Sequence, residues 1–371
     1  MKPGFKIIPF VIVLLASYGC GMLGPTSLKE GRNRYNHVIA YTGSEQMLIN
    51  LVKLRYFDRP TFLQVSSIST NMQWGASASA QVPIGDPIYS AGNIVPFGAG
   101  LKYAESPTIT YTPLTGEAFV RQMLTPIPLK TLILLFQAGW SIETVLRLVV
   151  QEINNLENAS PASGPTPERE SIFRKFLEVA SILGDLHRRR VVEWSFDDRE
   201  GGTMYIYPQL SADEQKAVAR LKGLLRIKGT YRGMEQWGME RYEVGYGICF
   251  GDSNKLSVIT RSMNDILFYI SQSVEVPPNH MEKNLVTITR TGDGTVFNWR
   301  ELFHEDQVKI RWSQSRPEGA YIAIQHRGFW FYIEDSDLDS KSTFLLLQIL
   351  ADLQAGSAPS AGPVLTLPVA R

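Results

Sequence analysis

Hydrophobic and polar positions alternate almost without error from Asn71 to Ile84. Met72, Trp74, Ala76, Ala78, Ala80, Val82 and Ile84 fall on one side, and Asn71, Gln73, Gly75, Ser77, Ser79 and Gln81 on the other. A period of two marks a half-buried strand, and this run far exceeds the usual four to eight residues. A turn-rich segment follows, Gly85-Asp86-Pro87 and then Ser90-Ala91-Gly92-Asn93. Alternation resumes with Phe97, Ala99, Leu101 and Tyr103 on one side and continues past Pro107 into Thr108–Tyr111. Two alternating runs joined by turn residues predict a long β-hairpin over 71–111.

Two uses of that hairpin fit the pattern. Its small-residue face can pack on the body of the protein, or the hairpin can enter a membrane. Outer-membrane strands take about 9–11 residues with one apolar and one polar face, flanked by aromatic residues. Trp74, Tyr89, Phe97 and Tyr103 are placed to supply those aromatics. An open sheet edge is not tolerated in lipid, so insertion requires a ring of copies.

Helical spacing surrounds the hairpin. Ser44 is read as the N-cap of a helix whose apolar face is Met47, Leu48, Leu51, Val52 and Leu54–Tyr56, ending before Pro60. Thr115-Gly116-Glu117 opens another, which Pro126 and Pro128 break. Leu129–Trp140 and Ser141–Leu156 read as two more, the second with Ser141 as N-cap and Glu143 in its first turn. Ala159–Pro167 is rich in Pro, Ser and Gly and reads as a linker or long surface loop.

Beyond it, a helix over 168–186 ends in His187-Arg188-Arg189-Arg190. This is either a phosphate- or lipid-facing patch or the cation-favouring end of a helix. Val191–Trp194 and Met204–Tyr207 predict a strand pair, and Ser211 caps a helix to Leu225. Arg241–Phe250 and Lys255–Thr260 are read as a hairpin, and Ser262 opens a helix through Met263, Ile266, Leu267 and Ile270. Strands are expected at Val286–Arg290, Val308–Ser313, Gly319–His326 and Phe329–Ile333, then a helix over Ser340–Gln354. The fold class is therefore α+β, with a long hairpin, a helical middle and a mixed second half. The expected divisions are 44–157, a linker at 158–168, and an α+β domain over 169–371.

The N-terminus changes the picture. Lys2 and Lys6 precede the apolar run Ile7–Ala16, which closes on Ser17-Tyr18-Gly19-Cys20. That run is far shorter than the roughly 20 residues of a spanning helix and has the layout of a secretory signal. Leu14–Cys20 resembles the lipobox of bacterial lipoproteins, although Ser17 and Tyr18 depart from the usual residues. The resemblance implies a signal peptide over 1–19, cleavage before Cys20, acylation of its sulfur and new amino group, and a tether and leash over 20–43. Gly21 after the cysteine implies retention in the outer membrane, facing the periplasm. The alternative is an ordinary signal peptide with an incidental cysteine. Cys249 is the only other cysteine, so no disulfide framework is expected.

Charge adds an exclusion. The formal net charge is +1, and loss of Lys2 and Lys6 makes it −1, which gives no electrostatic footprint for nucleic acid. His37, His187, His280, His304 and His326 show no metal-ligand spacing, and no nucleophile, phosphate-loop or dinucleotide signature occurs. Asp335, Asp337 and Asp339 imitate the start of a calcium loop, but Leu346 stands where its closing Glu belongs. They are read as helix-capping residues. No catalytic, metal or cofactor residue is assigned.

Leu51-Val52-Lys53-Leu54-Arg55-Tyr56, Pro107–Leu114, Arg261-Ser262 and Arg327-Gly328-Phe329-Trp330-Phe331-Tyr332 resemble a family of uncharacterised Gram-negative bacterial lipoproteins with no known activity. The expectation is a structural or interaction component of an envelope or export assembly. It would meet the membrane through Cys20, and an envelope protein or further copies of itself through the hairpin. The alternatives are a lipid-tethered glycan or peptide hydrolase, or a carbohydrate-binding module using Trp299, Trp312 and Trp330.

Overall fold

The computed structural model describes residues 23–79, 98–159, 170–229, 238–247, 254–290, 293–296, 308–355 and 365–368. It is an α+β protein that divides into two units. The larger contains residues 23–60 and 117–355, and the smaller 61–116 with 365–368.

The larger unit begins with helix α1 (Leu23–Arg55). Ser44 lies inside this helix, not at its start, and its hydroxyl donates to the Ala40 carbonyl at 3.0 Å. The expected leash is thus helical from Leu23. Met47, Leu48, Leu51, Val52 and Leu54 are buried, as their spacing requires.

The smaller unit contains β1 (Leu63–Ser79) and β2 (Gly98–Pro113), paired antiparallel. The hairpin is longer than its alternation indicated. The register steps from Val65↔Tyr111 to Ser67↔Thr110, leaving Ser66 as an extra residue whose hydroxyl donates to Thr110 O at 3.1 Å. This bulge swaps the parity of β1. Leu63 and Val65 before it therefore share a face with Ile68, Met72, Trp74, Ala76 and Ala78 after it.

Helices α2 (Glu117–Leu124), α3 (Leu129–Gln137) and α4 (Ile142–Val149) return the chain to the larger unit. Ser141 caps α4, accepting from Thr144 N at 3.3 Å. The helix expected to reach Leu156 stops at Val149. The chain turns into β3 (Val150–Ile153) and β4 (Leu156–Glu157). Asn154 and Asn155 both take positive φ, 46° and 62°, the backbone of a two-residue hairpin turn.

After α5 (Glu170–Arg188) come β5 (Val192–Asp197), β6 (Gly201–Ile206), α6 (Ala212–Leu225), β7 (Glu240–Tyr246) and β8 (Lys255–Thr260). Six strands form one sheet in the order β4-β3-β8-β7-β6-β5. The pair β7–β8 is parallel, not the expected hairpin, with Val244 opposite Leu256. Alternation fixes which residues share a face but carries no information about strand direction. Helix α3 lies on β5 and β6. At Gly202 a Cβ would come within 2.8 Å of Ile133 Cδ1, so the bare backbone admits that close approach. The linker position does not divide the unit. Residues 160–169 lie outside the described residues, and α4 and α5, on either side, pack together.

Capping boxes start α6 at Ser211–Glu214 and α7 (Met263–Ser271) at Ser262–Asp265. The short α8 (Pro278–Glu282) follows. The strand expected at Val286–Arg290 is absent; only Arg290 bridges, to Val296. A second sheet, ordered β10-β11-β9, contains β9 (Arg311–Ser313), β10 (Ala320–His326) and β11 (Phe329–Glu334). Helix α1 packs against β10 and α7. Helix α9 (Leu338–Ala355) is started by Asp337, whose carboxylate accepts from Ser340 N at 3.0 Å. Finally β12 (Leu365–Pro368) adds to β2 in the smaller unit.

The larger unit is tied internally by Arg261, which is fully buried. Its guanidinium donates to the carbonyls of Arg147 (2.8 Å), Leu148 (3.1 Å) and Ala159, and lies 4.0 Å from the Tyr269 ring. Burial holds its pKa down at about 10, so it stays charged at neutral pH.

Candidate functional site

The smaller unit is a two-faced ribbon. Cross-strand pairs put Leu63, Val65, Ile68, Met72, Trp74, Ala76 and Ala78 on the same face as Tyr111, Ile109, Tyr103, Leu101 and Ala99, a largely apolar face that Thr70, Pro107 and the single charged residue Glu105 share. In β12, Leu365 and Leu367 stand opposite Tyr111 and Ile109 and extend this apolar face. The other face carries Gln64, Ser67, Ser69, Asn71, Gln73, Gly75, Ser77 and Ser79, with Thr112, Thr110, Thr108, Ser106, Ala104, Lys102, Gly100 and Gly98 across from them. Near the base the apolar face is only partly covered. Leu63 is 42% exposed, and Val65, Ile109 and Tyr111 are half-buried. Of the residues singled out in the sequence, Met72, Trp74, Ala76, Ala78, Leu101 and Tyr103 are thus brought together by the register. Cys20, Ala80, Val82, Ile84 and Phe97 lie outside the described residues.

In the sheet order β1-β2-β12, no described strand lies beyond β1. Strand β12 covers β2 only at Thr108–Tyr111, because Pro368 ends it and proline has no N–H for a further ladder bond. Gly98–Pro107 therefore has no described strand on that side. Exposed edge strands are ordinarily blunted by charge, proline or short length. Strand β1 has 17 residues and contains no charged residue and no proline.

Sequence reasoning missed a second constellation, in the larger unit. Tyr56, just past α1, is buried, and its hydroxyl lies 2.8 Å from His280 Nδ1 on α8. Its ring meets those of His280, His326 and Phe331 edge-on. Asp58 accepts from Arg327 Nη2 at 3.0 Å on each carboxylate oxygen, and the same guanidinium lies 5.1 Å from the Tyr56 ring. His326 Nε2 is 3.3 Å from Asp58 Oδ2, without the alignment of a hydrogen bond. No local motif could reveal this cluster, because its members come from three distant parts of the chain.

Burial pushes the Tyr56 hydroxyl up to about 12. It pushes His280 down, helped by the nearby charges of Arg327 and Lys283, and pushes His326 down against the opposing pull of Asp58. At neutral pH the Tyr56–His280 pair is an uncharged hydroxyl against an uncharged imidazole. A general base needs a pKa near the working pH, and a phenol at about 12 is far from that range. The cluster braces the end of α1 against α8 and the β10–β11 turn.

The remaining candidates resolve individually. His187 Nδ1 lies 2.9 Å from Val192 O, and Arg188 and Arg189 both pair with Asp185, so the basic run is engaged at its own helix end. Trp312 and Trp330 are half-buried; Arg316 lies 5.5 Å from the Trp330 ring and Phe329 packs edge-on to Trp312. Trp299, His304 and Cys249 lie outside the described residues. Among the described residues no group of three or more His, Cys, Asp or Glu is placed to hold a metal, and no helix is long and apolar enough to cross a membrane. No protein-family model, curated protein or solved structure matches the chain.

Proposed function

We propose that this chain is an outer-membrane lipoprotein, acylated at Cys20 and facing the periplasm, that serves as a structural or interaction component of an envelope or export assembly. The hairpin ribbon is its working part. The observation that carries this reading is the ribbon itself: a separate unit with one apolar face only partly covered near its base. A sheet with one apolar face needs another layer to bury it. The lipid anchor follows from the signal layout and the cysteine at its end, where two or more acyl chains give stable attachment.

The test compares particle mass for the full-length protein in detergent with that of a Cys20→Ser form lacking residues 1–19 in plain buffer. Large particles that disappear when residues 72–104 are deleted support the reading. Compact monomers in both forms, with no partner retained on the full-length protein in its native membrane, refute it. Metabolic labelling with a fatty acid, present in the parent and lost in Cys20→Ser, tests the anchor separately.

A further inference from the structure

We infer that copies of this chain join head to tail through the hairpin, the Thr70–Ser79 edge of β1, which no described strand covers, pairing in one copy antiparallel with the Gly98–Pro107 edge of β2 in the next. This rests on the lipid-anchored reading and specifies the partner as a second copy of the chain.

Both halves of the contact are present in each copy. Within one hairpin Thr70 stands opposite Pro107 and Ser79 opposite Gly98. The uncovered part of β2 therefore lies level with the stretch 70–79 of β1, which matches it in length. Below that level β12 occupies the β2 edge at Thr108–Tyr111. The contact is thus confined to the distal part of the ribbon. The β1 stretch Thr70–Ser79 is uncharged, so it brings no like charge to Lys102 or Glu105 of the receiving strand.

The direction of pairing follows from the anchor. Copies tethered to one membrane surface share one orientation. A β1–β1 pair related by a two-fold axis would set the base of one hairpin beside the tip of the other. A β2–β1 pair keeps every copy pointing the same way and preserves strict antiparallel alternation. It also merges the largely apolar faces into one band, interrupted in each copy by Glu105, and the polar faces into another. A heterologous contact of this kind closes into a ring if the rotation permits and otherwise grows a filament.

The experiment uses full-length chain carrying Cys249→Ser, so that Cys20 is the only native cysteine and is acylated. Ser77→Cys protein is mixed with protein carrying a single cysteine at Gly98, Gly100, Lys102 or Ala104, in membranes, under mild oxidation. Only variants whose larger unit melts as the parent does are used. The expected result is a mixed disulfide between Ser77→Cys and one of the four β2 positions, with no disulfide when Ser77→Cys is present alone. A Ser77→Pro change in the parent should reduce particle mass to that of a single chain. Ser77→Cys linking only to itself would overturn head-to-tail pairing. Large particles without any β1–β2 link would also overturn it, while leaving the interaction reading intact. Single chains under all conditions, retaining no partner from the native membrane, would remove both.

Discussion

Arg327 sits in a left-handed backbone, φ 49°, while its guanidinium grips Asp58 at 3.0 Å on each carboxylate oxygen. Arg327 and Gly328 (φ 87°) are the two central residues of the β10–β11 turn. Such turns favour Asn, Asp or Gly, for which positive φ costs least. The ion pair and the contact with Tyr56 compensate for an unfavourable turn residue. Arg327→Asn should therefore lower stability in the parent despite improving the turn. In an Asp58→Ala background the same change should be neutral or stabilising. Both side chains are about one-third exposed, so solvent screening limits the coupling to roughly 1 kcal/mol. A double-mutant cycle by denaturant unfolding reads this directly, and an unchanged sign in both backgrounds refutes it.

Acid should weaken the same region. His280 and His326 have folded pKa values below their ordinary value of 6.5. As pH falls below 6.5 the unfolded chain takes up their protons first, so stability is lost from there down to the folded values. Partial desolvation shifts the carboxyls of Glu45, Glu152 and Asp352 upward. Their stabilising contribution is present at low pH and is lost as pH rises through the ordinary carboxylate range. That opposing effect begins at lower pH than the histidine loss. A His280→Asn, His326→Asn double variant should lose the slope just below pH 6.5, measured by thermal unfolding in steps of pH.

Alkali should act through Tyr56. Its hydroxyl is raised from 10 to about 12, so above pH 10 the unfolded chain releases this proton while the folded one retains it. Stability should fall progressively from pH 10 to about 12. In Tyr56→Phe this tyrosine's share of the alkaline loss should vanish, at the cost of the His280 hydrogen bond at neutral pH. Spectrophotometric titration of the parent against Tyr56→Phe checks the assignment.

Arg261→Ala should be among the most damaging single changes. It removes the donors to three main-chain carbonyls around a fully buried site. An unpaired buried polar group costs about 1–3 kcal/mol, so a loss on the order of 3 kcal/mol or more is expected. Arg261→Lys should recover only part of it, because an ammonium lacks the planar fork that reaches several acceptors at once. Denaturant unfolding of the two variants measures both losses.

Deleting Ser66 should act on the hairpin alone. Without the bulge, Leu63 and Val65 can stay on the apolar face only if the rest of β1 shifts to the other one. Hydrogen exchange should show faster exchange across β1 and β2, with the amides of α6 and α7 unchanged. Unchanged protection in β1 would show that the bulge does not set the face.

The capped helices were legible because their signals are local. Ser141, Ser211 and Ser262 each begin a helix through a hydrogen bond within a few residues. The long hairpin was legible from Asn71 onward and hidden before it, because the bulge at Ser66 breaks the period of two. Val150–Ile153 was read as helix because Val145, Val149 and Ile153 also fit helical spacing. The Asn154-Asn155 pair was the available signal for the turn. Nothing local could show that β7 and β8 run parallel, or that Tyr56, Asp58, His280, His326 and Arg327 meet. Those facts belong to chain topology.

The smaller unit is built from two stretches that lie far apart in the chain. The strands β1 and β2 are made after α1 but before the rest of the larger unit, and β12 is made after it. A chain emerging from its N-terminus therefore exposes an unfinished ladder throughout synthesis of everything between. The Thr108–Tyr111 edge is sealed only when the last strand arrives.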